Sequence, residues 1–136
     1  MKLVLRLRNL LWVFWFVGIA FGCTSIKSVS SPPTVENADQ PPEFVGGVDK
    51  LYDFISATMK FPQDAVNAGV EGKVLVQYVV LKDGRIVDAM IQKSIHPSLD
   101  KEALRIVRAM PRWQPGKKNG TAVNTRYSLS IAFEFK

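Results

Sequence analysis

The chain predicts an α+β fold of two layers, a three-stranded antiparallel-type sheet with helices packed on one face. Three observations carry this. Tyr127, Leu129, Ile131, Phe133 and Phe135 alternate with Arg126, Ser128, Ser130, Ala132 and Glu134, so one face of a strand is buried and the other wet. A Val-rich run, Lys73–Leu81, returns through Asp83-Gly84 as a second run, Arg85–Lys93. Two stretches with apolar residues at helical spacing flank this hairpin, and their stripes and the strands can be buried together in one core.

The elements follow in order. Gly46-Gly47 marks a turn, and Val48–Met59 is a helix with Val48 leading a stripe of Leu51, Phe54, Ile55 and Thr58. Phe61-Pro62 breaks the chain; Pro62 suits the first position of a short helix, Pro62–Ala68, with Gly69 at its C′ position. The strand Lys73–Leu81 is apolar on both faces, with Val74, Val76, Tyr78 and Val80 on one and Leu75, Val79 and Leu81 on the other. Asp83-Gly84 reads as a type I′ hairpin turn, which needs positive φ at both central residues, and Val87, Ala89 and Ile91 alternate in the return strand. Ser98 is the expected N-cap of the next helix, with Asp100 and Glu102 placing negative charge in its first turn. Leu99, Ala103, Ile106, Val107 and Met110 form its apolar stripe, and Pro111 stops it. Trp113–Asn124 reads as a turn-rich loop.

The N-terminus obeys different rules. Lys2, Arg6 and Arg8 precede an uncharged apolar run, Leu10–Gly22, and polar residues follow Cys23. This is the layout of a secretory signal over residues 1–22, with an apolar run shorter than the roughly 18–20 residues that span a bilayer. Cys23 is the only cysteine, so an internal disulfide is excluded. Residues 23–43 are rich in Ser and Pro and read as a spacer that buries too little apolar surface to fold, with the folded domain at 44–136.

Charge and residue types narrow the function. The 136 residues carry a net charge of +6; without Lys2, Arg6 and Arg8 there remain 15 basic against 12 acidic side chains, a net charge of +3. That balance, with no compact basic cluster among aromatics, argues against nucleic acid as a partner. His96 is the only histidine and sits before Pro97, which gives a metal site or catalytic triad little to build on. No clustered nucleophile, base or paired carboxylate suggests an enzyme, and no cofactor is expected. Lys101, Arg105, Arg108 and Arg112 share one helix face, which reads as a solvated stripe, and Trp113 reads as a ring packed under the helix end.

Several short stretches then match a known pattern in order. They are Glu43-Phe44-Val45-Gly46-Gly47, Phe61-Pro62 where the pattern has Tyr-Pro, Gly69-Val70-Glu71-Gly72-Lys73-Val74 and Lys82-Asp83-Gly84-Arg85-Ile86. Pro97-Ser98-Leu99-Asp100, Met110-Pro111-Arg112-Trp113-Gln114-Pro115-Gly116-Lys117 and Asn124-Thr125-Arg126-Tyr127 continue it. From about Pro42 to Phe135 the chain resembles the C-terminal domain of TonB, in the form common among energy transducers of the Bacteroidetes type.

The resemblance implies a TonB-like periplasmic protein that binds TonB-dependent outer-membrane transporters, adding their TonB-box peptide as a strand to a sheet edge. It places that edge at the last strand, here Asn124–Phe135, with Asn124, Thr125, Arg126, Tyr127, Ser128, Leu129 and Ser130 as partner contacts and a second contact at Lys60, Phe61, Pro62 and Gln63. Ala20-Phe21-Gly22-Cys23 resembles a lipobox, which implies lipidation of Cys23 and an envelope protein held on a membrane by a lipid anchor. Two features depart from TonB itself. The N-terminus has no histidine and looks cleavable, and the spacer is short. Energy then comes through a separate partner coupled to inner-membrane motor proteins, or the protein holds a transporter without driving it. A structural lipoprotein using the same edge for other envelope partners is the alternative, and an exposed edge strand also leaves a homodimer open.

Overall fold

The computed structural model describes Thr34 and residues 37–136. The signal segment, Cys23 and the first part of the spacer lie outside the described residues. The elements are α1 (Gly47–Thr58), α2 (Gln63–Ala68), β1 (Gly72–Val80), β2 (Ile86–Lys93), α3 (Pro97–Ala109), β3 (Lys117–Lys118), β4 (Thr121–Ala122) and β5 (Thr125–Phe133). β1 is the centre of a three-stranded antiparallel sheet in the order β2-β1-β5, while β3 and β4 pair as a separate small hairpin. The α+β fold expected from the sequence is the fold observed.

The core follows the periodicities. Val74, Val76, Tyr78 and Val80 of β1 stand opposite Ile131, Leu129, Tyr127 and Thr125 of β5 in an unbroken register. Onto this face pack Leu99, Ala103, Ile106 and Val107 of α3, with Leu51 and Ile55 of α1. Trp113 is buried where Phe44, Tyr78 and Tyr127 meet it, with ring centroids 5.6–5.7 Å away. Burial, and then the neighbouring Tyr127, push the Tyr78 phenol well above its ordinary pKa. α2 ends as expected: Gly69 takes φ 64° and its N–H donates to Val66 O, while Val70 N–H donates to Ala65 O, the Schellman pattern.

Five local expectations are corrected. Val48 does not lead the α1 stripe; it is 58% exposed, and the buried face is Leu51 and Ile55. Asp83-Gly84 is not a type I′ turn. Gly84 has φ 87°, but Asp83 does not have positive φ; Gly84 N–H donates to Leu81 O and Leu81 N–H to Arg85 O, which makes a three-residue loop closed by a left-handed glycine. The type I′ geometry occurs instead at Asn119-Gly120 (φ 51° and 76°), between β3 and β4, inside the stretch expected to be loop. The N-cap of α3 is His96, whose Nδ1 accepts from Ser98 N–H, because Pro97 takes the first helical position. Glu102 lies one turn beyond the helix start and is buried, so it does not act as a first-turn charge.

The chain is also held to the domain ahead of Phe44. Gln40 and Lys117 exchange backbone hydrogen bonds, as do Glu43 and Gln114, and Asn119 N–H donates to Asp39 Oδ2 at 2.7 Å. The residues just before Phe44 therefore run along the loop that leads into β5.

Candidate functional site

The sheet offers two edges, and the sequence makes them unlike. Leu81, just past β1, turns its N–H toward Arg85. Backbone groups alternate in direction along a strand, so Val74, Val76, Tyr78 and Val80 face β5, and Ile131, Leu129, Tyr127 and Thr125 face back. The N–H groups of Ser128, Ser130 and Ala132 therefore point to the outer side of β5. Among the described residues no strand pairs there.

A groove of about 700 Å³ runs along this outer side. Ser130, Ile131 and Ala132 all line it, although successive side chains point to opposite faces, so it follows the backbone edge itself. Its far wall is one face of α1, Tyr52, Ile55 and Ser56, continued by Met59 at the helix C-cap. Phe61, Val66 and Phe135 close its end. Phe61 stands edge-on to Phe133 at 6.0 Å and packs on Phe135 at 4.8 Å.

Phe61 also borders a second groove of about 570 Å³, lined by Lys60, Pro62, Lys101, Glu102, Arg105 and Arg108 among others. Here Glu102 ties the start of the Phe61-Pro62 segment to α3. It accepts from Lys60 N–H at 2.7 Å and from Arg105 Nε and Nη2 at 2.8 and 2.6 Å, while Arg105 Nη2 also donates to Thr58 O. Burial alone would raise the Glu102 pKa; the Arg105 hydrogen bonds and the Lys60 N–H outweigh it and hold the carboxyl below its ordinary range. Arg105 thus caps the last turn of α1, which has no basic residue of its own.

The residues singled out from sequence fall into two groups. Phe61 borders both grooves, Lys60 and Pro62 line the second, and Gln63 lies on the exposed face of α2, with Nε2 donating to Asn67 Oδ1. Phe61 is brought against the C-terminal end of β5, whereas Asn124, Thr125, Arg126 and Tyr127 are at the other end of that strand. Asn124 accepts from Lys82 N–H, Thr125 is buried with its hydroxyl donating to Val123 O, and Tyr127 packs beside Tyr78 and Trp113. Ser128 and Ser130 are exposed, Ser128 with its hydroxyl on Gln92, and Leu129 is buried. Sequence reasoning missed Tyr52, Ile55 and Ser56 of α1, Met59 at its C-cap and Lys73 of β1 as groove residues, whereas Ala132, Glu134 and Phe135 lie within the stretch it assigned to the edge.

The family profile described as Gram-negative bacterial TonB protein C-terminal matches residues 57–135, more than half of the chain. The chain belongs to the TonB C-terminal domain family. A solution structure of the Helicobacter pylori TonB C-terminal domain is 26% identical, with 65% of this chain and 79% of that one covered and a TM-score of 0.50. A shorter fragment of that domain is 24% identical, with 63% and 90% covered and a TM-score of 0.49. No curated protein matches the chain. TonB C-terminal domains are non-catalytic modules of the Gram-negative envelope that take part in energy transduction and meet outer-membrane transporters. Among the described residues, no helix is long and apolar enough to cross a membrane and no cluster of His, Cys, Asp or Glu is grouped to hold a metal ion.

Proposed function

We propose that this TonB-like domain binds outer-membrane transporters by taking a transporter's TonB-box peptide as a fourth strand on the outer edge of β5. The regular edge of β5 from Ser128 to Ala132, on which no strand pairs among the described residues, carries the reading. Its N–H and C=O groups form a ladder that an extended peptide completes, so backbone bonds supply affinity whatever the peptide's side chains. Phe61 stands beside the C-terminal end of the same strand and, with Lys60, Pro62 and Gln63 next to it in the chain, supplies a second contact. Ser128→Pro removes an outward N–H while leaving the bonds to β1 in place. Titration of the Ser128→Pro chain with TonB-box peptides from the same organism's transporters is expected to show no binding, with the far-UV spectrum of the fold retained. Unchanged affinity in a folded variant would mean that the edge serves another envelope partner, as a tethering protein would.

We also propose that Cys23 carries a lipid anchor that holds the domain on the periplasmic side of the envelope. The short apolar run before it and the polar spacer after it support this. Cys23→Ser is expected to release the protein from the membrane fraction and to lower its mass by the acyl groups; a variant that still partitions with membranes at unchanged mass overturns the anchor.

A further inference from the structure

The groove beside β5 has a shape of its own, and it states what kind of peptide the edge takes. Building on the strand-addition reading, we infer that the partner segment is extended, with bulky apolar residues at alternate positions facing α1 and an acidic residue between two of them.

A strand added to β5 lies about 4.8 Å from it, in the space between the edge and α1. Side chains on its inner face meet Tyr52, Ile55 and Met59, with Phe61 and Phe135 at the end. Tyr52 is 59% exposed and Phe135 44% exposed, so this apolar wall is open to solvent and is covered only when the groove is filled. Successive residues of a strand face opposite ways, so only every second side chain reaches this wall. The backbone groups of Ser130 and Ala132 along the groove's floor require an extended main chain, which neither a helix nor a small apolar molecule provides.

The outer face reads the residues in between. Lys73 pairs with Ala132 across β1 and β5, and Ala132 has no side chain long enough to block it. Lys73 lines the same groove, so its side chain is within reach of a strand added beside Ala132. Glu134 and Lys136, of opposite charge, also line the groove, so Lys73 is the charge that stands beside Ala132. An acidic side chain on the added strand opposite Ala132 answers Lys73, and a basic one is repelled. The site thus spans Ser130 to Lys136, toward the C-terminal end of β5, where Phe61 also stands.

The test uses the full chain in detergent micelles and two fluorescent peptides of equal composition. In one, leucines alternate with threonine and a central glutamate; in the other, the leucines are consecutive. The alternating peptide is expected to bind about tenfold or more tightly than its blocked counterpart. Tyr52→Arg is expected to erase that preference, and replacing the glutamate by glutamine to weaken binding a few-fold in the parent chain and not in Lys73→Met. N-methylation of alternate peptide amides, or Ser130→Pro in the protein, is expected to abolish binding of both peptides. Equal binding of the two peptides, lost on N-methylation but indifferent to Tyr52→Arg, overturns the groove's selectivity and leaves strand addition standing. Binding that survives both N-methylation and Ser130→Pro, or no binding of either peptide, overturns the inference together with the reading on which it rests.

Discussion

The two edges of this sheet are made from similar lengths of chain and differ in regularity. β5 keeps its register with β1 from Thr125 to Phe133 without a slip. β2 slips twice, between Leu75 and Val76 and between Gln77 and Val79, and in both places the extra residue is on β2. At the second slip Asp88 adopts φ 52°, a left-handed conformation that side chains seldom take. Such bulges bend a strand and put its outward N–H and C=O groups out of line. Asp88 and Lys93 add charge to the same strand. β2 is therefore a blunted edge and β5 a receptive one, which directs edge pairing to a single side of the molecule. A regular edge is an association hazard unless it is used, and an apolar groove runs alongside β5.

The largest effect that separates the two edges is expected at Gly84, which closes the loop feeding β2. It combines positive φ with close backbone approach: a Cβ here would overlap the Trp113 carbonyl, and Gly84 O accepts from Trp113 N–H at 2.8 Å. Gly84→Ala is expected to cost about 2–4 kcal/mol in chemical denaturation, from strain and steric overlap together. Peptide binding by the folded fraction should stay as in the parent chain, since the β5 ladder does not include this loop. Loss of binding in a folded Gly84→Ala protein would show that the two edges are coupled through β1.

The contrast between the edges was partly legible in the sequence. The period of two and the stripe of Leu99, Ala103, Ile106 and Val107 placed β5 and α3 on the right faces, because burial selects residue type at every turn of a regular element, except that Phe135, counted with the buried face, lies past the strand end and is exposed. The turn types were not legible from the dipeptides. Type I′ and the three-residue loop both put glycine in a left-handed conformation, so Asp-Gly suits either. What distinguishes them here is the Asp83 carboxylate, which accepts from Arg85 N–H and Arg85 Nε and so holds the aspartate side of the turn. The cap of α3 was readable in principle, since proline prefers the first helical position and the residue before it then becomes the cap. The α1 wall of the groove was not. Leu51 and Ile55 announce the buried face, but Tyr52 is adjacent to that stripe, and only the packing of α1 beside β5 makes it a groove residue.

Glu102 sharpens the comparison from the β5 side, because it holds the segment on which Phe61 stands. Its carboxyl is held below the ordinary glutamate value of about 4.3, so the folded state takes up its proton less readily than the unfolded chain. Its contribution is thus complete above that ordinary value and lost as pH falls through the depressed one. Glu102→Gln is expected to cost about 1–3 kcal/mol at neutral pH and to flatten the loss of stability on acidification. Some acid dependence remains, since the backbone and side chain of Arg85 also hold Asp83 below its ordinary range. Denaturation curves of both proteins from neutral into acid pH check this; parallel curves would mean that the Lys60 and Arg105 contacts leave the proton affinity of Glu102 unchanged. Amide shifts in the variant should gather at Lys60-Phe61 and along the groove, with β2 silent.

The smallest effect is expected at Gly120, in the hairpin that precedes β5. Gly84 and Gly120 both have positive φ, 87° and 76°, but an added Cβ at Gly120 meets nothing within 4 Å. Gly120→Ala therefore isolates the conformational part of the Gly84 effect and should cost about 1 kcal/mol. The subtraction of one variant from the other gives the steric part alone. A Gly120→Ala cost as large as that of Gly84→Ala would place the excess in the contacts this hairpin makes with the incoming chain, where Asp39 accepts from Asn119 N–H and Gln40 pairs with Lys117. The loop into β5 would then be braced by the spacer, and a pull on the spacer would be felt first at the receptive edge.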